Sequence, residues 1–227
     1  WRKERNKYYI FADNAASSSD NPGARITATQ MKLVRFFNAY RYSVYVPNND
    51  AIDKAVHEMH LPTVQSIQAY IDAHTDENKK LDSVAKIKAQ AMVVTLVNFL
   101  KYHFADQSLF VDQCTATTEC QSACSDEETG GFIRLTAEQT PGKLNIVDVT
   151  GNTVPVSSSL NNICTREFEL NSVATSARYI TNSSYVTLHS LGDKFLLFSS
   201  KVKGDFAKAW ETVGEAKAFA KKYRIKN

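Results

Sequence analysis

Near His103 the hydrophobic pattern changes period, and no other feature constrains the fold as much. Before it, apolar residues recur at helical spacing. Ile52, Ala55, Val56 and Met59 mark one helix over AIDKAVHEMH. Val64, Ile67, Tyr70 and Ile71 mark a second over TVQSIQAYIDAH, opened by Pro62-Thr63. A third is predicted from about Lys80 through Phe104, and its apolar positions widen toward the C-terminal end, which should be buried nearly all round. After His103 come short β-branched and aromatic runs: SLFVDQ, GGFIRLTAE, KLNIVDVTG, NTVPVSS, REFELNS, ARYITNS, YVTLHSL and KFLLFSS. Thr150-Gly151-Asn152 between two of them is a hairpin signal. Helices first and strands afterwards predict a mixed β fold with helices, an α+β or helix-decorated sandwich with an N-terminal helical cluster, and argue against a doubly wound sheet.

The flanks divide the chain further. KYYIFAD reads as a strand, and NAASSSDNPGAR after it has linker composition. Residues 1–25 are thus expected to be an N-terminal extension or the tail of a preceding domain, and the compact domain is expected from Ile26, where Met31, Val34 and Phe37 fall at helical spacing. Residues 26–200 form that domain, and 201–227 a C-terminal helical extension whose basic last turn suits the helix dipole. The chain opens on Trp1 rather than Met and is expected to be a piece or processed product of a longer protein, so its leader says nothing of compartment.

Composition excludes some classes. A formal charge of +3 with scattered basic residues points away from nucleic acid. The most apolar run, AMVVTLVNFL, is about half the ~20 residues of a membrane span and reads as a buried helix. Three of the four cysteines, Cys114, Cys120 and Cys124, fall in one polar loop near 112–131, and the fourth is Cys164. Their spacing lacks the C-x2-C knuckle of zinc sites, and an even count in a polar, Ser/Thr-rich loop makes disulfides in an oxidising compartment the expectation. The alternative is four reduced cysteines, one of them buried. Three pairings are open; a bridge from the loop to Cys164 would close roughly forty residues or more, worth about 4 kcal/mol in the chain-entropy model.

The residues that could carry chemistry read mostly as structural. In RYSVYVPNNDAI, Tyr42, Val44 and Val46 alternate with Ser43 and Tyr45 before Pro47 ends the strand. Asn49 or Asp50 is expected to accept from the free N–H groups of the helix that follows. His57 and His60 form H-E-x-H, one residue short of the zincin H-E-x-x-H. There is no G-x-S-x-G elbow and no Gly-rich phosphate loop, so no catalytic, cofactor-binding or metal residue is assigned. His103 is placed to bond the last carbonyls of the third helix, and His189 to point to one face of a strand.

Three blocks in this order resemble fasciclin-type (FAS1) domains. VYVPNNDAI resembles that family's first signature, a strand running into Pro-Thr-Asn-x-Ala and a helix. LKYHF resembles its Tyr-His block, and NSSYVTLH its last signature; HLPTVQSI and LNNI resemble the bacterial, Bacteroidetes-type branch. The likeness spans about residues 26–200. Asn48 stands for the usual Thr, Ser183-Ser184 for Gly, and the cysteine segment is an insertion. The resemblance implies a FAS1-type β-wedge acting as a non-catalytic adhesion or recognition module, outside the cell, on its surface or in the periplasm. Such modules often occur in tandem copies, on a lipoprotein whose anchor would lie outside this chain. It implies a protein or glycan partner, with Tyr102 and neighbouring His103 as candidate partner-binding residues. A structural spacer is the alternative, and a cryptic hydrolase a third reading.

Overall fold

The computed structural model describes residues 42–58, 61–111, 117–156, 162–171, 178–204, 206 and 209–224, and within 162–186 the backbone alone. KYYIFAD and the helix expected from Ile26 lie outside the described residues, as do Cys114, His60 and the side chain of Cys164.

Strand β1 (Tyr42–Pro47) lies in the middle of an eight-stranded sheet of mixed direction. Its alternation is as expected, but the buried face carries Ser43 and Tyr45, while Val46 is 45% exposed. A serine can face the core here because its hydroxyl is fully used. Ser43 Oγ donates to Gln107 O (2.7 Å), accepts from the Leu109 N–H (3.0 Å) and meets Thr187 Oγ1 at 2.6 Å. Pro47 ends the strand, and α1 (Asn49–His57) begins at once. The cap is Asn48 and not Asn49 or Asp50: its Oδ1 accepts from the Ala51 N–H at 2.8 Å. Asn49 and Asp50 lie exposed in the first turn, where the Asp50 charge suits the dipole. Ala51 and Ala55 bury one face of α1, and His57 points to solvent.

Helix α2 (Val64–Ala73) starts at a reciprocal Thr63–Ser66 cap. Helix α3 (Ser83–Tyr102) starts three residues later than the hydrophobic pattern suggested, because Asp82 caps it and an Asp76–Lys80 turn precedes it. Its C-terminal half is buried on nearly every face, except for a stripe that carries Val93 (40% exposed) and Leu100 (37%). At 20 residues α3 has the length and apolarity of a membrane span, longer than the run AMVVTLVNFL suggested. In the fold it packs against the sheet and the C-terminal helix and forms the centre of the core.

The remaining strands are β2 (Phe104–Ala105), β3 (Thr118–Ser125), β4 (Phe132–Thr140), β5 (Lys143–Val147), β6 (Thr153–Pro155), β7 (Asn162–Asn171) and β8 (Arg178–Gly192). They are ordered β6-β5-β4-β3-β2-β1-β8-β7, and every neighbouring pair is antiparallel except β1–β8, which is parallel. The chain is thus a mixed α+β fold. Gly151, at φ +80°, turns β5 into β6 as expected. Three local readings differ. SLFVDQ forms no strand over its described part, ARYITNS and YVTLHSL merge into the single long β8, and KFLLFSS is irregular although Leu196, Leu197 and Phe198 are buried.

The cysteine segment departs furthest from expectation. Residues 118–125 form strand β3 in the sheet interior, with Cys120, Ser122 and Cys124 on its inward face. Small side chains suit that position because α3 lies directly over it. Cys120 and Cys124 are buried free thiols, contrary to the disulfide expectation for both. Four residues apart on one strand, their Cα atoms are on the order of 13 Å apart, against the ~7 Å limit for a bridge.

The C-terminal segment is likewise part of the domain. Helix α4 (Val213–Lys222), with a Thr212–Glu215 capping box, packs on α3 through Ala216, Phe219 and Ala220. Trp210, Phe219, Tyr223 and Phe198 form one aromatic cluster. The Asn98 amide of α3 donates to Tyr223 O, and the Glu127 N–H to Lys222 O at 2.8 Å. The boundary expected at residue 200 therefore cuts through the core, since Val202, Phe206 and Trp210 also belong to it. Truncation after Gly204 should abolish cooperative urea unfolding, whereas a dispensable extension would leave the midpoint unchanged. Phe219→Ala alone should cost about 3–5 kcal/mol, read as a lowered midpoint.

Candidate functional site

The end of α3 carries the Tyr102-His103 pair, and neither side chain is on the surface: Tyr102 is 0% and His103 4% exposed. Tyr102 therefore does not offer itself to a partner. Its hydroxyl donates to Arg134 O on β4 and accepts from the Val149 N–H, both at 2.9 Å. Burial raises its phenol pKa, so it stays protonated and keeps donating. His103 caps the helix with its ring. Its Nε2 accepts from the Leu196 N–H at 3.1 Å, so Nδ1 carries the proton and donates to Phe99 O at 2.7 Å. Burial lowers the His103 pKa to about 4, which keeps the ring neutral.

A third member went unremarked in the sequence. Asp148, 4% exposed, opens the β5–β6 turn. One carboxylate oxygen accepts from the Thr150 N–H (2.9 Å), the Thr150 hydroxyl (2.6 Å) and the Asn152 N–H (3.1 Å). The other accepts from the Leu197 N–H at 3.0 Å. Asp148 and His103 thus take two successive amides of the segment after β8, which pairs with no strand there. The readable signal was D-V-T-G-N: an Asp two residues before a Thr and four before an Asn forms its own turn.

Beside this latch lies a surface cleft of about 330 Å³, whose lining includes Thr150, Asn152 and Leu197, all bonded to Asp148. It is lined by Lys54 of α1 and Glu58 just after it, by the Thr150–Asn152 turn, and by Asp193, Lys194, Phe195, Leu197 and Lys203. Three stretches distant in sequence, 54–58, 150–152 and 193–203, therefore meet at it. Lys54 lies 3.8 Å from Glu58 and Lys194 3.2 Å from Asp193, both as exposed pairs that hold their charges only loosely. Lys203 has no ion-pair partner among the described residues. Sequence reasoning could not assemble this set, because each residue sits alone in an ordinary polar stretch.

His189 lies on β8 beside Tyr45 of β1, 0% exposed and stacked on it at 5.8 Å. Its Nε2–H donates to Leu109 O at 2.8 Å, and burial lowers its pKa. Burial also raises the Tyr45 phenol well above its ordinary value and, with Asp106 nearby, pushes the Cys120 thiol up to about 12. No group of three His, Cys, Asp or Glu side chains among the described residues gathers into a metal-ligand set. Compared with models of known families the chain matches none, and it matches no curated protein.

The latch makes stability pH-dependent. His103 has a folded pKa of about 4 against 6.5 for a free histidine, so between those values the unfolded chain binds a proton that the folded one refuses. The His103 contribution is present above pH 6.5 and is lost, up to about 3 kcal/mol, as pH drops to 4. His103→Asn should lower the melting temperature at pH 7 and flatten its decline over that window; an unchanged slope would mean other groups carry it. The buried Cys120 and Cys124 should resist a thiol reagent in the folded chain and react once urea unfolds it, as read by mass spectrometry.

Proposed function

We propose that the chain is a non-catalytic recognition module of an extracellular, cell-surface or periplasmic protein, with a FAS1-type β-wedge as its finer architecture, and that it binds a protein or glycan. The cleft carries this reading. A concave surface furnished from three distant stretches, and bordered by a Tyr-His-Asp latch with every donor and acceptor placed, has the rigid walls that recognition needs. The architecture draws support from where the three sequence blocks meet. Strands β1 and β8 pair with Ser43 opposite Thr187 and Tyr45 opposite His189, while the Tyr45 N–H donates to His103 O at 2.9 Å. First, middle and last blocks thus share one junction, and the Tyr-His block serves partner binding by shaping the cleft. With Cys120 and Cys124 free, the compartment rests on the resemblance alone.

Binding of the intact chain to a glycan array and to extracellular-matrix proteins should give a saturable, selective signal in at least one of the two. A clean negative in both would favour the spacer reading, and turnover on a hydrolase substrate panel would favour the enzyme.

A further inference from the structure

The charges lining the cleft carry both signs, and their ratio narrows the ligand. Among the described residues Lys54, Lys194 and Lys203 bring three ammonium groups, and Glu58 and Asp193 two carboxylates. A polyanion laid across the cleft would meet both carboxylates, and like-charge contacts of that kind are costly. A neutral ligand would leave the extra ammonium of Lys203 without use. A ligand with one negative charge and several hydroxyl groups suits both signs: ammoniums for the charge, the Asp193 carboxylate and the Asn152 amide for the hydroxyls. The volume, about 330 Å³, lies at the small end of the ~300–1,000 Å³ typical of small-molecule sites, room for one or two sugar rings. Phe195 supplies an apolar ring in the wall, backed by Phe99 at 6.0 Å, suited to the C–H face of a sugar.

From the charge set and the walls of this cleft we propose that it binds an acidic sugar residue of the hexuronate type. Lys203 and Lys194 take its carboxylate, Asp193 and Asn152 its hydroxyls, and Phe195 packs on the ring. Carboxylate capture frees Lys194 from Asp193, which then accepts from a sugar hydroxyl. The inference rests on the recognition reading, and it chooses glycan over protein. No residue of the latch touches the sugar; Asp148 and His103 act by holding the 193–197 segment in place.

The test is a titration of the full chain followed by ¹⁵N–¹H NMR, with D-glucuronate as probe, D-glucose as its neutral counterpart and inorganic sulfate as a bare anion. Glucuronate should shift the amides of Gly151, Asn152 and Lys194 saturably, with glucose at least ten-fold weaker and sulfate weaker than glucuronate. The double variant Lys194→Glu/Lys203→Glu should keep the melting temperature and lose glucuronate binding by ten-fold or more. Equal binding of glucose would overturn the role of charge, and equal binding of sulfate would reduce the cleft to a generic anion site; either sinks the proposal. Shifts confined to another surface, or none, would sink it as well. If the intact chain binds a matrix protein or neutral glycan and the double variant binds it equally well, the recognition reading stands and this inference falls.

Discussion

The fold depends on how two backbone amides are satisfied. Leu196 and Leu197 bury their side chains after β8, on a segment whose backbone joins no strand, and a buried N–H without a partner is costly. The His103 ring and the Asp148 carboxylate supply those partners from the end of α3 and the β5–β6 turn. Tyr102 ties the same two elements together and adds β4. Three side chains therefore join the helical cluster, the meander and the C-terminal segment at one point. Each was selected by the chemistry of its place: a carboxylate with four donors around it, a neutral imidazole with one nitrogen for each role, and a phenol that both donates and accepts.

Legibility followed the distance over which each signal acts. Periodicity is local, so α1 and α2, the Gly151 turn and the amphipathic C-terminal helix could be read from a few residues each. What depends on contacts across the chain could not. Ser43 is polar, yet it faces inward because Gln107, Leu109 and Thr187 complete its hydrogen bonds. TECQSACS reads as a polar loop, yet its small residues alternate and fit beneath α3. KFLLFSS has the composition of a strand and is one in neither register nor pairing, because side chains take its amides. The cleft was illegible for the same reason: its parts come from three distant stretches and none is distinctive alone.

The same distinction shifts the role of the Tyr-His block. Read as a string, an aromatic and a histidine at a helix end invite a partner. In the fold both are sealed from solvent, and their effect reaches the surface through the segment that they hold. Exposed chemistry belongs instead to lysines and acids that no motif would single out.

The parallel pairing of β1 with β8 has a kinetic consequence. Ser43 and Thr187, hydroxyl to hydroxyl at 2.6 Å, are separated by 144 positions along the chain. On a ribosome, β1 emerges early and can gain β2 on one side within the next sixty or so residues, but its other edge stays bare until β8 has been made. Throughout the interval between β1 and β8 the nascent chain thus carries an open strand edge at what will become the interior of its sheet, with Ser43 and Tyr45 beside it. Assembly of this domain is governed by the last third of its chain, and any pause there prolongs the interval in which that edge can pair with the wrong neighbour.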